Sequence, residues 1–342
     1  MPPGSSSKSS KPKPSEVAAQ TKKYIIPHIR KHHASTWPLY SYLFPKPLSY
    51  TPDMFPARPV SLSNPNFWVY TTDPVDFAIG WAATNNTKVA FICAANEKRP
   101  GGDWETGVVG YEERLCRRST LSATIATPGP AKYAPDGHYP IPLEGGIYSD
   151  KVVVFRGPHD KYEERKPEDW RALPVVSVAP MRWPKLQANG TKYSFSDERE
   201  MAKNKLRAAL TICAYNDIRS VVIGDFGLGN SYRNPPQEMA ELWREVFLWD
   251  TNLRGRIENV AFVFEDAAQS TTRLILEDAA KKNKGSGGSS SSKGKGKSSS
   301  LSSGIAGCPM DVDIFRHVFD SAEIHRVASQ GDPRMGLGNL MS

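Results

Sequence analysis

The chain has 342 residues, 39% hydrophobic and 10% aromatic, enough for one large domain or two small ones with a sizeable core. Its formal net charge of +8 invites a nucleic-acid partner, but residues 1–23 carry +4 and residues 281–300 carry +6, so the remaining chain is net −2 and no sequence-specific nucleic-acid binding is expected. No run approaches the ~18 apolar residues of a membrane span, and "MPPGSSSKSSKPKPS" lacks the apolar stretch of a secretion signal, so the expectation is an intracellular protein, cytoplasmic and/or nuclear, with no membrane partner.

Residues 1–20 read as a disordered basic tail, and residues 21–282 as one globular domain. That domain opens with a helical and irregular extension. "EVAAQTKKYIIPHIRKHH" begins helical and is interrupted by Pro27, and residues 35–66, rich in Pro, Tyr and Ser, form an irregular wrap. "FWVYTT" is a strand, and "KVAFICAAN" is an apolar run of the kind a strand buried on both faces requires. "YEERLCRRSTLSATI" is helical, "KVVVFR" and "PVVSVAP" are strands, and "DEREMAKNKLRAALTICAYN" is a long amphipathic helix. The buried strand "SVVIGDFG", the helix "QEMAELWREVFLW", the strand "NVAFVFED" and the helix "QSTTRLILEDAAKK" follow. Residues 283–304 form a Ser/Gly/Lys linker. Residues 305–342 contain "DVDIFRHVFDSAEIHRV", an amphipathic helical segment expected to dock on the domain. Alternation of strands and helices gives an α/β domain of three layers with a mixed or mostly parallel sheet. Ligands of such sheets bind beyond the carboxyl ends of the strands.

Two strands end in glycine-rich loops, "EKRPGGDWETG" after "VAFICAAN" and "DFGLGNSYRNPP" after "SVVI". Glycine lets backbone N–H groups approach an anion, and a following helix adds positive potential, so two such loops side by side form a diphosphate cradle. Neither loop contains GK[ST] or a dinucleotide-type GxGxxG. "YEER" occurs twice, at 111–114 and at 162–165. The second copy has a charged flank and reads as a solvated surface turn. The first opens a helix directly after a glycine loop, where Glu112 and Glu113 face any anion held there. Like charge and desolvation raise the pKa of a carboxyl in that position, which suits it to protonate a leaving oxygen. The plainer alternative is that both glutamates only complement the helix dipole. Cys93, Cys116, Cys213 and Cys308 are far apart and read as buried free thiols. No HExxH occurs and His32–His33 are adjacent, so no metal is expected.

The stretch Pro100-Gly101-Gly102-Asp103, the spacer "WETGVVG", Tyr111-Glu112-Glu113, then Leu115-Cys116-Arg117-Arg118-Ser119 resembles the microbial-type poly(ADP-ribose) glycohydrolase catalytic domain. That family carries Pro-Gly-Gly-Gly, a seven-residue spacer and Gln-Glu-Glu ahead of a similar helix. "GGIYSDKVVVFR", "VVSVAP" and "GDFGLGNSYRNPP" are similar to later landmarks of the family, so the resemblance spans roughly residues 68–280. It implies a macrodomain-like α/β/α sandwich with a mixed central sheet, flanked by disordered basic tails. The activity it implies is removal of ADP-ribose from poly(ADP-ribose) or from ADP-ribosylated protein, without cofactor or metal. By the same resemblance Glu113 is catalytic and Glu112 holds the ribose. Gly101, Gly102 and the neighbouring Asp103 lie along the diphosphate, with Asn96 by the distal ribose and Tyr111 beside it. Gly227, Gly229 and Asn230 close from the second loop, and Tyr232 packs on the ligand. Asp103 stands where the family has a third glycine, Tyr111 where it has glutamine, and the second loop is one residue longer. These departures keep open a second reading, an ADP-ribose reader without turnover. A third is a scaffold or nucleic-acid-associated protein acting through the Lys tails, with the fold a relic. A monomer is expected.

Overall fold

A computed structural model of the chain describes residues 12–46, 63–130, 137–285 and 307–330. Seven strands form one sheet: β1 (Tyr42–Phe44), β2 (Asn66–Thr71), β3 (Val89–Ala94), β4 (Gly146–Val154), β5 (Arg171–Val178), β6 (Ser220–Ile223) and β7 (Asn259–Phe264), in the order β1-β4-β5-β3-β6-β7-β2. β5, β3, β6, β7 and β2 run parallel, and β4 and β1 are antiparallel to their neighbours. Every residue of β3 is buried, because it pairs with β5 and β6 and is covered on both faces. The apolar run of its sequence has that cause.

Helices α3 (Pro74–Asn85), α4 (Tyr111–Arg118) and α5 (Leu121–Ile125) cover one face, where Val75, Leu115, Leu121 and Ile125 pack on Val89, Phe91 and Val175. Helices α6 (Ser196–Tyr215) and α8 (Pro236–Trp249) cover the other, where Leu206, Leu210 and Trp243 pack on Ala90, Ile92 and Phe262. The expected mixed-sheet α/β/α layering is present. Because β3 and β6 are parallel neighbours, their carboxyl ends open on the same edge, and both glycine loops start there.

The domain edges depart from the reading of the sequence. Residues 14–20, placed in the disordered tail, form helix α1 (Pro14–Gln20), and the helical path continues through a π-type turn at Thr21–Ile25 into α2 (Ile26–His32). Pro27 follows directly on the π-type turn, where the irregular winding accommodates a residue without an N–H, and the path continues through it. Residues 1–11, and residues 47–62 of the irregular wrap, lie outside the described residues. After the short helix α7 (Gly229–Tyr232), helix α9 runs Thr271–Gly285 into the segment read as linker, whose remainder lies outside them too. The C-terminal segment docks as two helices, Asp311–Val318 and Ser321–Ser329. Phe319 lies 4.4 Å, and Phe315 5.0 Å, from the Phe262 ring of β7.

Candidate active site

The first loop is shaped from its ends inward. The Asn96 side chain accepts the amides of Lys98 (2.9 Å) and Arg99 (3.2 Å), turning the chain as it leaves β3. Gly101 and Gly102 follow with φ +73° and +56°. A Cβ on Gly102 would collide with the Glu113 carboxylate, and so would one on Gly110, so both glycines leave room for that side chain. Trp104 is buried as the loop's apolar anchor. Arg117, fully buried in α4, then gathers the rest: its guanidinium donates to the carbonyls of Trp104 (2.8 Å), Thr106 (3.0 Å) and Val108 (2.5 Å). Among the described residues this buried cation has three carbonyl acceptors and no carboxylate, so it holds the loop backbone.

Glu112 and Glu113 open α4 behind this loop, and their environments differ. Glu112 is 2% exposed, and its Oε2 accepts the Asn96 amide at 2.8 Å. Its Oε1 is buried and has no hydrogen-bond partner among the described residues. Burial, reinforced by the Glu113 charge, pushes the Glu112 carboxyl up to about 8, against the opposing hydrogen bonds from the backbone of Asn96 and Gly101. Glu113 is half-buried and accepts the Asp103 amide at 3.2 Å. A cleft of about 120 Å³ meets both, lined by Asn96, Asp103, Tyr111, Arg182, Ser231 and Tyr232 among others. The structure thus brings Asn96, Asp103, Tyr111, Glu112, Glu113 and Tyr232 together. Gly101 and Gly102 shape the wall behind them.

The second loop behaves differently from its reading. Gly227 and Gly229 have φ +78° and +71°. The Gly229 amide donates to Thr271 Oγ1 at 2.7 Å and is therefore committed inside the protein. Gly227 gives its carbonyl to the Asn234 side chain at 2.7 Å. Asn230 is exposed and accepts from Arg233, away from the cleft. From this loop Ser231 and Tyr232 face the cleft instead, and the Tyr232 hydroxyl ties back to the Ala94 carbonyl at 3.1 Å. Arg182 and Ser231 escaped the sequence reading. Arg182 carried a signal, a cation just past the strand end "VVSVAP", but nothing in its flank distinguishes it from a surface arginine.

Two odd residues find partners. The Asp103 carboxylate pairs with Arg99, four residues back, so its charge is offset beside the cleft. The Tyr111 hydroxyl donates to Gln269 Oε1 at 3.1 Å. Gln269 in turn donates to Asp225 (3.1 Å) and Asp311 (3.0 Å). Burial raises Asp225 to about 8 and Asp311 to about 6.

The second "YEER" is more than a solvated turn. Tyr162 is buried, Arg165 pairs with Asp76 at 2.7 Å, and Glu164 pairs at 2.8 Å with Arg156, which is 1% exposed. The same guanidinium donates to the Arg117 carbonyl at 2.9 Å and to Thr21 Oγ1 at 2.5 Å. The copy without a glycine loop therefore braces the helix that carries the copy with one.

Residues 17–157 match the microbial-type PARG catalytic domain. The match takes in the first glycine loop, the glutamate pair and the arginines behind them, and stops before the second loop. The poly(ADP-ribose) glycohydrolase (PARG) from Thermomonospora curvata is a structural neighbour with a TM-score of 0.57, 19% identical, covering 77% of this chain and 97% of that one. Its complex with the inhibitor ADP-HPD scores 0.55 at 20% identity, over 77% and 97%. The PARG from Deinococcus radiodurans in complex with ADP-ribose scores 0.50 at 20% identity, over 74% of this chain and 97% of that one. These PARG neighbours share the macrodomain-like fold. No curated protein matches the chain. Among the described residues, no cluster of three or more His, Cys, Asp or Glu side chains is placed to hold a metal, and no helix is long and apolar enough to cross a membrane.

Proposed function

We propose that the protein is an ADP-ribosyl glycohydrolase acting on poly(ADP-ribose) or on ADP-ribosylated protein, with Glu113 as the catalytic acid. The observation that carries this reading is the asymmetric glutamate pair in one cleft: a half-buried Glu113 against the loop, and a buried Glu112 whose Oε1 is left for a ligand hydroxyl. The family match and the ADP-ribose complex of the Deinococcus radiodurans PARG support the ligand class.

In this reading the distal ribose enters the cleft with a hydroxyl on Glu112 Oε1. Glu113 gives its proton to the glycosidic oxygen as the bond to the anomeric carbon breaks. The cationic sugar is stabilised by the nearby diphosphate, water adds to the anomeric carbon, and the proton of that water returns to Glu113. Glu112, held neutral near pH 7 by burial, presents its Oε1 to the ribose hydroxyl without adding negative charge to the cleft. Pairing with Arg99 offsets the Asp103 charge, so the departure from the family's third glycine is compatible with a diphosphate in the cleft. The test is incubation with labelled poly(ADP-ribose) and with mono-ADP-ribosylated protein. Release of free ADP-ribose by the wild type and not by Glu113→Gln supports the enzyme. Binding of ADP-ribose without release from either substrate leaves a reader.

A further inference from the structure

The helix Asp311–Val318 lies outside the residues that match the family. Its first residue, Asp311, is fully buried, and its carboxylate accepts three hydrogen bonds: from the Thr271 amide (2.8 Å), the Thr271 hydroxyl (2.6 Å) and the Gln269 side-chain amide (3.0 Å). The Asp311 amide returns a bond to the Gln269 carbonyl at 2.9 Å. Both donor residues lead on to the cleft. Thr271 Oγ1 accepts the amide of Gly229 at 2.7 Å, and Gly229 opens α7, which carries Ser231 and Tyr232 to the cleft. Gln269 Oε1 accepts the Tyr111 hydroxyl at 3.1 Å, and Tyr111 opens α4 directly before Glu112 and Glu113. A Cβ on Gly229 would lie 2.7 Å from Gln269 Oε1 and 2.8 Å from the Tyr111 hydroxyl, so the two routes meet at this glycine.

Both routes depend on polarity. A threonine hydroxyl carries one proton on a free rotor, and giving that proton to Asp311 turns a lone pair toward the Gly229 N–H. A glutamine amide can face either way. With Asp311 and Asp225 accepting from Nε2, Oε1 is the end presented to Tyr111. We propose that Asp311 is a positioning residue of the candidate active site: this carboxylate of the C-terminal segment orients the Thr271 hydroxyl and the Gln269 amide, and through them fixes the second loop and the start of α4 relative to each other. This role rests on the hydrolase reading above and adds to it a contribution from beyond residue 157. Asp311 does not line the cleft, so its effect reaches a ligand through Ser231, Tyr232 and the glutamate pair. A buried N–H that loses its acceptor costs more than the bond contributed, so cutting either route displaces the element at its end.

The full chain is compared with three variants. Asp311→Asn keeps the volume but sets an NH2 group against at least one of the three donors. Thr271→Val keeps the volume and removes the hydroxyl, and Thr271→Ser restores the hydroxyl. Isothermal titration gives the dissociation constant of ADP-ribose, turnover of the labelled substrates gives kcat, and melting curves without ligand establish that each variant folds. Asp311→Asn is expected to weaken ADP-ribose binding about ten-fold and to lower kcat, because both routes are cut. Thr271→Val is expected to weaken binding roughly three-fold or more with kcat less affected, because the route to Tyr111 remains, and Thr271→Ser to return within about two-fold of the wild type. A carboxylate that merely holds the helix down would lower the melting temperature of Asp311→Asn and leave both constants unchanged, and that result overturns the positioning role. If Asp311→Asn does not fold, Thr271→Val decides: binding equal to that of Thr271→Ser overturns the role as well. Wild-type binding that survives substitution leaves the hydrolase reading intact, whereas failure of the wild type to bind ADP-ribose overturns both.

Discussion

Glu113 and Glu112 are adjacent in sequence but sit in different surroundings, and their substitutions should fail differently. Glu113→Gln keeps the shape of the cleft and is expected to lower kcat by 10²-fold or more while ADP-ribose still raises the melting temperature. Glu164→Gln is expected to retain turnover but melt earlier, because the buried Arg156 loses its only carboxylate among the described residues. Glu112 ties stability to pH. Its folded pKa is about 8, above the ordinary carboxyl value of 4.5, so the folded state keeps a proton that the unfolded chain gives up. Stability from this group is therefore full below about pH 4.5 and is lost as pH rises through about 8. Glu112→Gln should flatten the melting-temperature profile between those limits, and an equally steep profile in the variant would contradict the assignment. The pair was legible in the sequence because glycines at 101, 102 and 110 stand directly before it. Tyr111 was legible only as an oddity, since its partner Gln269 lies 158 residues away. Its bond to Gln269 makes it a strut between α4 and the segment before α9.

At the scale of elements, the sequence located the strands well where burial on both faces leaves a continuous apolar run, as in β3 and β7. It failed where a local rule was outvoted. Pro27 reads as a break but is carried past by the π-type turn before it, and "YEERLCRRSTLSATI" reads as one helix but splits at Ser119, which is extended and bridged to Val154 of β4. The reach of Arg117 was hidden for a related reason: an arginine in a helix suggests solvent, and only the fold turns it onto the loop carbonyls. Arg117→Met leaves three carbonyls without a charged donor. Hydrogen bonds to a charged group contribute roughly 1.5–3 kcal/mol each, with non-additive losses, so a melting temperature lower by several degrees is expected in calorimetry. Turnover should fall with it, because the loop positions Gly102, Asp103 and Gly110 around Glu113. A variant with a lower melting temperature and undiminished kcat would show that the loop holds its shape without Arg117.

For the whole molecule, composition placed the lysines of residues 1–23 and 281–300 in tails, yet Lys22 pairs with Glu105 of the first loop and Lys281 lies on α9, and the helix at Pro14–Gln20 likewise shows that composition alone misplaces a boundary. The role of the C-terminal helices was not legible, because amphipathicity says that a helix docks and not what it touches. Asp311, at the start of the first of them, accepts the Thr271 amide (2.8 Å) and hydroxyl (2.6 Å), and Thr271 Oγ1 accepts the Gly229 amide of the second glycine loop. Phe315 and Phe319 bury themselves against β7 at the same time. The bonds of Asp311 and the packing of the two phenylalanines join residues up to 285 with residues from 307 onward, and none depends on the peptide bonds that run between the two. The polypeptide is thus expected to tolerate a cut there. Residues 1–285 and 307–342 expressed together as separate chains should elute together in gel filtration and separate only in denaturant. Asp311→Ala should loosen that hold and let the smaller piece dissociate, so that a protein made as one chain behaves, once nicked, as a two-part assembly whose second part can be supplied in trans.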